Sequence, residues 1–120
     1  MPHAKPYVYA CSGSSDVGAL ADAIARKLAK DGDAQMKCLV GLASLNNEVR
    51  EDARTNPHKL VIDGCIQRCG KACVEQASIG GFAYLNLADC GFVKGECPLT
   101  GAIVLQGAEI AKRMLTSRKA

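Results

Sequence analysis

The sequence predicts a small three-layer α/β domain, doubly wound in the flavodoxin-like or Rossmann-like manner, with about four mainly parallel strands and helices on both faces of the sheet. Three observations predict it. Short β-rich runs alternate four times with segments of helical periodicity, the pattern of a parallel sheet built from βαβ units. The 120 residues fit one domain of common size. No repeat, low-complexity tract or linker divides them, so residues 1–120 read as a single domain.

Each element has its own signal. Tyr7–Cys11 (YVYAC) is a β-rich run followed by the turn-forming SGSSDVG. Val17, Leu20, Ala21, Ile24 and Leu28 recur at spacings of three and four, one face of a helix, with Asp16 as the expected N-cap and Gly32 as its stop. The second strand reads either as Ala34–Cys38 or as Met36–Val40. Asn47–Thr55 is a short charged helix ended by Asn56-Pro57, and Lys59–Asp63 (KLVID) is a third strand bounded by Gly64. Ile66–Ser78 follows as a helix stopped by Gly80-Gly81, then Phe82–Leu87 (FAYLNL) alternates as a fourth strand. Thr100 is placed to cap a last helix lined on one side by Ile103, Gly107, Ile110, Ala111 and Met114.

Composition removes several function classes. Hydrophobic residues make up 48% and charged residues 22%, which excludes a disordered chain. With three Tyr, two Phe, no Trp and a net charge of only +3, neither base stacking nor a phosphate-binding surface is expected, so nucleic acid is not an expected partner. No segment approaches the ~20 apolar residues of a membrane span, and MPHAKPYVYA has no signal-peptide core. A cytoplasmic location is expected, where seven cysteines read as metal or redox ligands rather than disulfides.

Their positions sharpen this. Cys11 ends the first strand, Cys65 lies just past the third, and Cys38 falls at the end of the second if that strand is Ala34–Cys38. Carboxyl ends of strands form the ligand crevice of open α/β sheets. Cys69 follows Cys65 by four residues, which on a helix puts both side chains on one face with Cβ atoms ~5–6 Å apart. Thiolates sharing a tetrahedral zinc at ~2.3 Å sit just under about 4 Å apart, within reach of small rotamer changes. Cys11, Cys38, Cys65 and Cys69 therefore form a candidate closed four-thiolate site for a metal ion, with zinc as the expected cofactor. An iron–sulfur cluster on the same thiols is the alternative, since four thiolates suit either.

YACSGSSDVG, MKC and VIDGCIQRC together resemble the DGC family of zinc-binding proteins, named for the motif that stands here as Asp63-Gly64-Cys65. The resemblance runs from Tyr7 to about Lys94 and implies zinc binding through Cys11, Cys38, Cys65 and Cys69. It implies no assigned biochemical role, so metal sensing, storage and delivery all stand as readings.

The other thiols and polar residues have weaker claims. Cys73 continues the stripe eight residues after Cys65 and is either an alternative ligand or core packing. Cys90 follows the fourth strand and Cys97 lies in GFVKGECPLT, a loop expected to be exposed; together they are an alternative metal arm, a redox couple or two ordinary loop cysteines. Ser12, Gly13, Ser14, Ser15 and Asp16 place amides and hydroxyls at a helix N-terminus, either an anion cradle or a turn and cap. Neither a Walker loop nor a dinucleotide fingerprint is present, since Ala19-Leu20 stands where Lys-Ser/Thr is required. Asp63 and Gly64 are candidates to support the metal loop, or Asp63 to cap the helix after it. His3 and His58 are loop histidines with no partner pattern. A second function class is a thiol-dependent enzyme with Cys11 as nucleophile over SGSSDVG, although no base is placed beside it and no Arg lies between Cys11 and Arg26.

Overall fold

The computed structural model describes residues 5–117. Four strands, β1 (Tyr7–Ala10), β2 (Gln35–Met36), β3 (Lys59–Asp63) and β4 (Phe82–Asn86), form one all-parallel sheet in the order β2-β1-β3-β4. This is the flavodoxin-like strand order over its first four positions, and not the Rossmann order. The five helices are α1 (Asp16–Lys30), α2 (Leu39–Ala43), α3 (Asn47–Thr55), α4 (Cys69–Gln76) and α5 (Gly101–Ser117), with a 3-10 turn at Leu87–Cys90.

Strand alternation splits the core into two layers. Val8, Ala10, Leu60, Ile62, Ala83 and Leu85 pack against α1 and α5 on one face. Tyr7, Tyr9, Val61, Phe82 and Tyr84 pack against α2, α3 and α4 on the other. The connection that moves one way along the sheet carries its helix on the first face, and the two that move the other way carry theirs on the second, as crossovers of one hand require. Leu20, Ile24 and Leu28 of α1 are fully buried, each such side chain stabilising the fold by about 1.5–3 kcal/mol.

The helix expected along Val17–Leu28, the one expected at Asn47–Thr55 and the third strand lie where the sequence placed them. Thr100 does cap α5, accepting from the Ile103 N–H at 3.2 Å. Gly32 follows α1 with φ +82°. The first and fourth strands end one residue earlier than expected, at Ala10 and Asn86, and α4 ends at Gln76 rather than Ser78; three further differences bear on the site. The N-cap of α1 is Ser15, whose Oγ accepts from the Gly18 N–H at 3.1 Å, and Asp16 is the first helical residue. The second strand is only Gln35–Met36, because Cys38 leaves the ladder to cap α2, a helix of five residues too short to show a period. The helix expected at Ile66–Ser78 begins at Cys69, after a turn in which Arg68 takes φ +57° and donates its N–H to the Cys65 carbonyl at 3.2 Å. Ile66, which helped suggest the earlier start, is 77% exposed.

Candidate functional site

The order β2-β1-β3-β4 reverses direction between β1 and β3, and a cleft of about 200 Å³ opens there at the carboxyl edge. It is lined by Cys11, Cys65 and Cys69, by Gly13, Ser14 and Ser15 of the β1–α1 loop, and by Asp63, Gly64 and Lys94 among others. The Cys11 N–H continues the β1–β3 ladder to the Ile62 carbonyl at 3.1 Å, which sets Cys11 beside Asp63.

Asp63 organises this edge. It is 1% exposed, and its carboxylate accepts from the Gly70 N–H at 2.7 Å, the Lys71 N–H at 3.0 Å and the Tyr84 hydroxyl at 2.8 Å. Gly70 and Lys71 lie in the first turn of α4, whose amides have no intrahelical partner. Asp63 is thus the cap of α4, reaching it from the end of β3, and this is why the helix starts at Cys69 rather than Ile66. Asn86 Nδ2 donates to the Cys65 carbonyl at 2.9 Å and to the Tyr84 hydroxyl at 3.0 Å. The backbone of one thiol-bearing turn and the hydroxyl that serves Asp63 are therefore joined through Asn86. Arg68 and Lys71 place their cations 5.7 and 5.3 Å from the Tyr84 ring centre.

The two loops of the cleft touch backbone to backbone. A Cβ on Gly64 would meet the Val17 carbonyl carbon and oxygen at 2.5 Å, and one on Gly18 would meet Gly13 backbone atoms at 2.8 Å. Asp16 fastens the far rim: its carboxylate accepts from the Val17 N–H at 2.8 Å and from the Gly95 and Cys97 N–H groups at 2.9–3.0 Å. Those amides hold its carboxyl below the usual carboxylate range. Asp16, expected as a helix cap, instead moors the 94–97 loop that brings Lys94 to the cleft. Ser12 takes φ +51° and donates to Asp22 at 2.7 Å, which turns its hydroxyl away toward α1. Ser15 Oγ is engaged in the cap of α1, so it is not free to serve the expected anion cradle.

The seven thiols divide by place. Cys11, Cys65 and Cys69 border the cleft. Cys65 and Cys69 both reach the cleft with Cys65 in the turn before α4 and Cys69 at its first residue, not on one helix face as the sequence suggested. Burial pushes the Cys11 thiol up, the Gly13 and Gly64 amides pull it partly back, and the Asp63 carboxylate adds to the rise. A thiol raised in this way is a weak free nucleophile, which works against Cys11 as an unassisted catalytic thiolate. Cys38 stands outside the cleft lining, exposed at the N-cap of α2, where its Sγ accepts from the Gly41 N–H at 3.2 Å. Cys73 lies one turn after Cys69 on α4, half-buried, its thiol pushed up by burial and by the neighbouring Cys69 and Asp63.

Cys90 is exposed in the 3-10 turn, and Cys97, expected in an exposed loop, is 6% exposed and packed into the α1–α5 core layer. Cys90 and Cys97 border a second cavity of about 360 Å³ with Phe92 and Ile103. His58 lies at the amino edge of the sheet, just before β3 and at the opposite end from the thiols. His3 is outside the described residues.

Among the described residues, no three His, Cys, Asp or Glu side chains converge to the distances of a formed metal shell. The chemistry of the donors still fits a soft or borderline ion. Three thiols border the cleft and a fourth, Cys38, caps α2 just beyond the adjacent strand, and the backbone amides of Gly13 and Gly64 favour the thiolate of Cys11. Sequence reasoning missed Tyr84, Asn86 and Lys94. The first two carry a usable signal: in FAYLN the polar members fall at alternate positions, hence on the one face that also bears Asp63.

No solved structure matches the chain. A curated protein of Pseudomonas aeruginosa, the anaerobic and virulence modulator AnvM, is 34% identical over 89 residues, which cover 74% of this chain and 68% of that protein. The family model of the DGC domain matches residues 7–111, from the first residue of β1 into α5. That span takes in the whole sheet and every residue of the cleft, and the chain belongs to the DGC domain family.

Proposed function

We propose that this chain binds zinc through cysteine thiolates at the carboxyl edge of its sheet and serves metal sensing, storage or delivery. The observation that carries the reading is that Cys11, after β1, and Cys65 and Cys69, between β3 and the first turn of α4, border one cleft at the point where strand order reverses. Cys38, at the N-cap of α2 just beyond the next strand along, is the fourth donor, and Cys73, one helical turn from Cys69, is the alternative to Cys69. Bound zinc supplies a tetrahedral centre that keeps its thiolate ligands deprotonated at neutral pH. Asp63 holds the first turn of α4, and so Cys69, against β3, while Asn86 holds the Cys65 carbonyl. Gly13 and Gly64 offer amide hydrogens to Cys11, which favour its thiolate.

Cys11 and Cys65 are half-buried and Cys69 is exposed, which limits ligand exchange less than a closed core site would and suits an ion that is sensed or passed on. The relative is named a modulator, and a metal-responsive role is in keeping with that name. The zinc sits inside the chain's own metal economy on this reading, in the cytoplasm, with the metal ion as its one assigned partner.

The test is substitution with metal analysis. Zinc content of about one per chain, as a single tetrahedral site requires, should fall to near zero in Cys65→Ser or Cys11→Ser. In the native protein Cys11, Cys38, Cys65 and Cys69 should resist alkylation together until a chelator is added. One thiol reacting fast with no metal present would instead favour a thiol enzyme, and iron with matching sulfide would favour a cluster protein.

A further inference from the structure

Among the described residues, one buried side-chain polar atom has no hydrogen-bond partner: the hydroxyl of Tyr9, a residue only 1% exposed. Buried polar groups are paired almost without exception, and an orphaned one marks a place where a partner is missing from the resting arrangement. Tyr9 lies on β1 two residues before Cys11, on the face covered by α2. Leu39 and Leu42 of α2 pack in the same cluster as its ring. The residue immediately before Leu39 is Cys38, which caps α2 with its sulfur.

Register points the same way. The Lys37 N–H donates to the Val8 carbonyl at 2.9 Å, so β2 runs beside β1 up to the level of Tyr9 and delivers Cys38 just beyond it. The carboxylate of this neighbourhood, Asp52, is already taken: one oxygen accepts from the Tyr7 hydroxyl at 2.9 Å and the other pairs with Lys37 at 3.0 Å. A phenol donates readily to a thiolate, whereas a neutral thiol is a weak acceptor.

We propose that Tyr9 is a positioning residue for Cys38: its hydroxyl donates to the Cys38 thiolate once that sulfur leaves the cap of α2 to hold a metal ion. The assignment rests on the zinc reading above. It accounts for two otherwise separate facts, an orphaned hydroxyl and a fourth cysteine that stops short of the cleft. In the resting chain Cys38 is a thiol spent on the Gly41 amide. On metal binding it gives its proton to solvent, and the hydroxyl of Tyr9 becomes the donor that orients it. Donors of this kind behind a ligand typically contribute about 10–100-fold in metal affinity.

The experiment is a double-mutant cycle read by zinc competition against a chromophoric chelator, with thermal melting of the metal-free proteins alongside. Tyr9→Phe removes an unpaired hydroxyl and keeps the ring, so the metal-free variant should melt no lower than wild type. Its zinc affinity should nevertheless drop about 10–100-fold. In a Cys38→Ala background the same substitution should change zinc affinity little. An unchanged affinity in Tyr9→Phe, or an equal loss in both backgrounds, overturns the assignment while leaving the zinc reading intact. A wild-type chain that takes up no zinc overturns both.

Discussion

Asp63 carries three roles that a sequence scan cannot separate: last residue of a strand, first letter of a motif and cap of the next helix. It accepts three hydrogen bonds, from the Gly70 and Lys71 amides and the Tyr84 hydroxyl, on a carboxylate that is almost fully buried. In Asp63→Asn the amide would turn an N–H₂ toward at least one of those donors. Hydrogen bonds to a charged group contribute about 1.5–3 kcal/mol each, so a loss of at least about 2 kcal/mol in unfolding free energy is expected, read by urea titration. Gly64→Ala should cost about 3 kcal/mol, the upper end of overpacking, because the added Cβ meets immovable backbone of Val17 rather than a flexible side chain.

Asp16 gives a pH signature. Its folded carboxyl lies below the ordinary carboxylate range, so its hold on Gly95 and Cys97 is complete above the unfolded value of ~3.9 and is lost as pH falls through the lower folded value. The Gly95 and Cys97 amide resonances should therefore shift with a midpoint below ~3.9 in an acid titration. In Asp16→Asn that midpoint should vanish.

At the scale of elements, the long periodic ones were legible and the short ones were not. The α1 face, Val17 to Leu28, announces itself through spacing alone, and KLVID is a buried parallel strand by composition. The α2 helix was invisible because five residues make little more than one turn, too few for a period, and because Val40 within it is 74% exposed. The start of α4 was misplaced for a different reason. A tertiary contact, Asp63 to the amides of Gly70 and Lys71, decides it, while local apolar content at Ile66 argues for an earlier start. That contact is testable as such: amide exchange at Gly70 and Lys71 should quicken in Asp63→Asn well beyond that at Leu20 or Ile24 of α1.

The site was partly legible. Cysteines at strand ends pointed to the carboxyl edge of the sheet, and Cys11, Cys65 and Cys69 do border one cleft there. Cys38 was placed by assuming a longer second strand; its sulfur instead caps α2. Cys97 was misjudged because the loop around it is rich in Gly and charge, whereas the Asp16 carboxylate draws its backbone inward. Tyr84 and Asn86 were readable from alternation once the face carrying Asp63 was known.

At the scale of the molecule, two apolar layers sandwich the sheet, and neither depends on the thiols of the cleft for its main contacts. Fold and candidate site are thus separable, and the metal-free chain should retain its cooperative melting transition, unlike small domains that fold only around their metal. No helix among the described residues is long and apolar enough to cross a membrane. Truncation in the α1 core, for example Leu20→Ala, should cost about 2–5 kcal/mol whether or not metal is present. Cys65→Ser should do the reverse, altering metal content while moving the metal-free melting temperature little.

The central claim is that the thiols of the carboxyl edge act together on one ion. Metal content by mass spectrometry on protein purified without added metal, with thiols counted before and after chelation, tests it most directly. The account predicts about one zinc per chain and about four thiols that become reactive only when the chelator is added, the count of a closed tetrahedral site. A chain with no metal and all thiols reactive from the outset would contradict it.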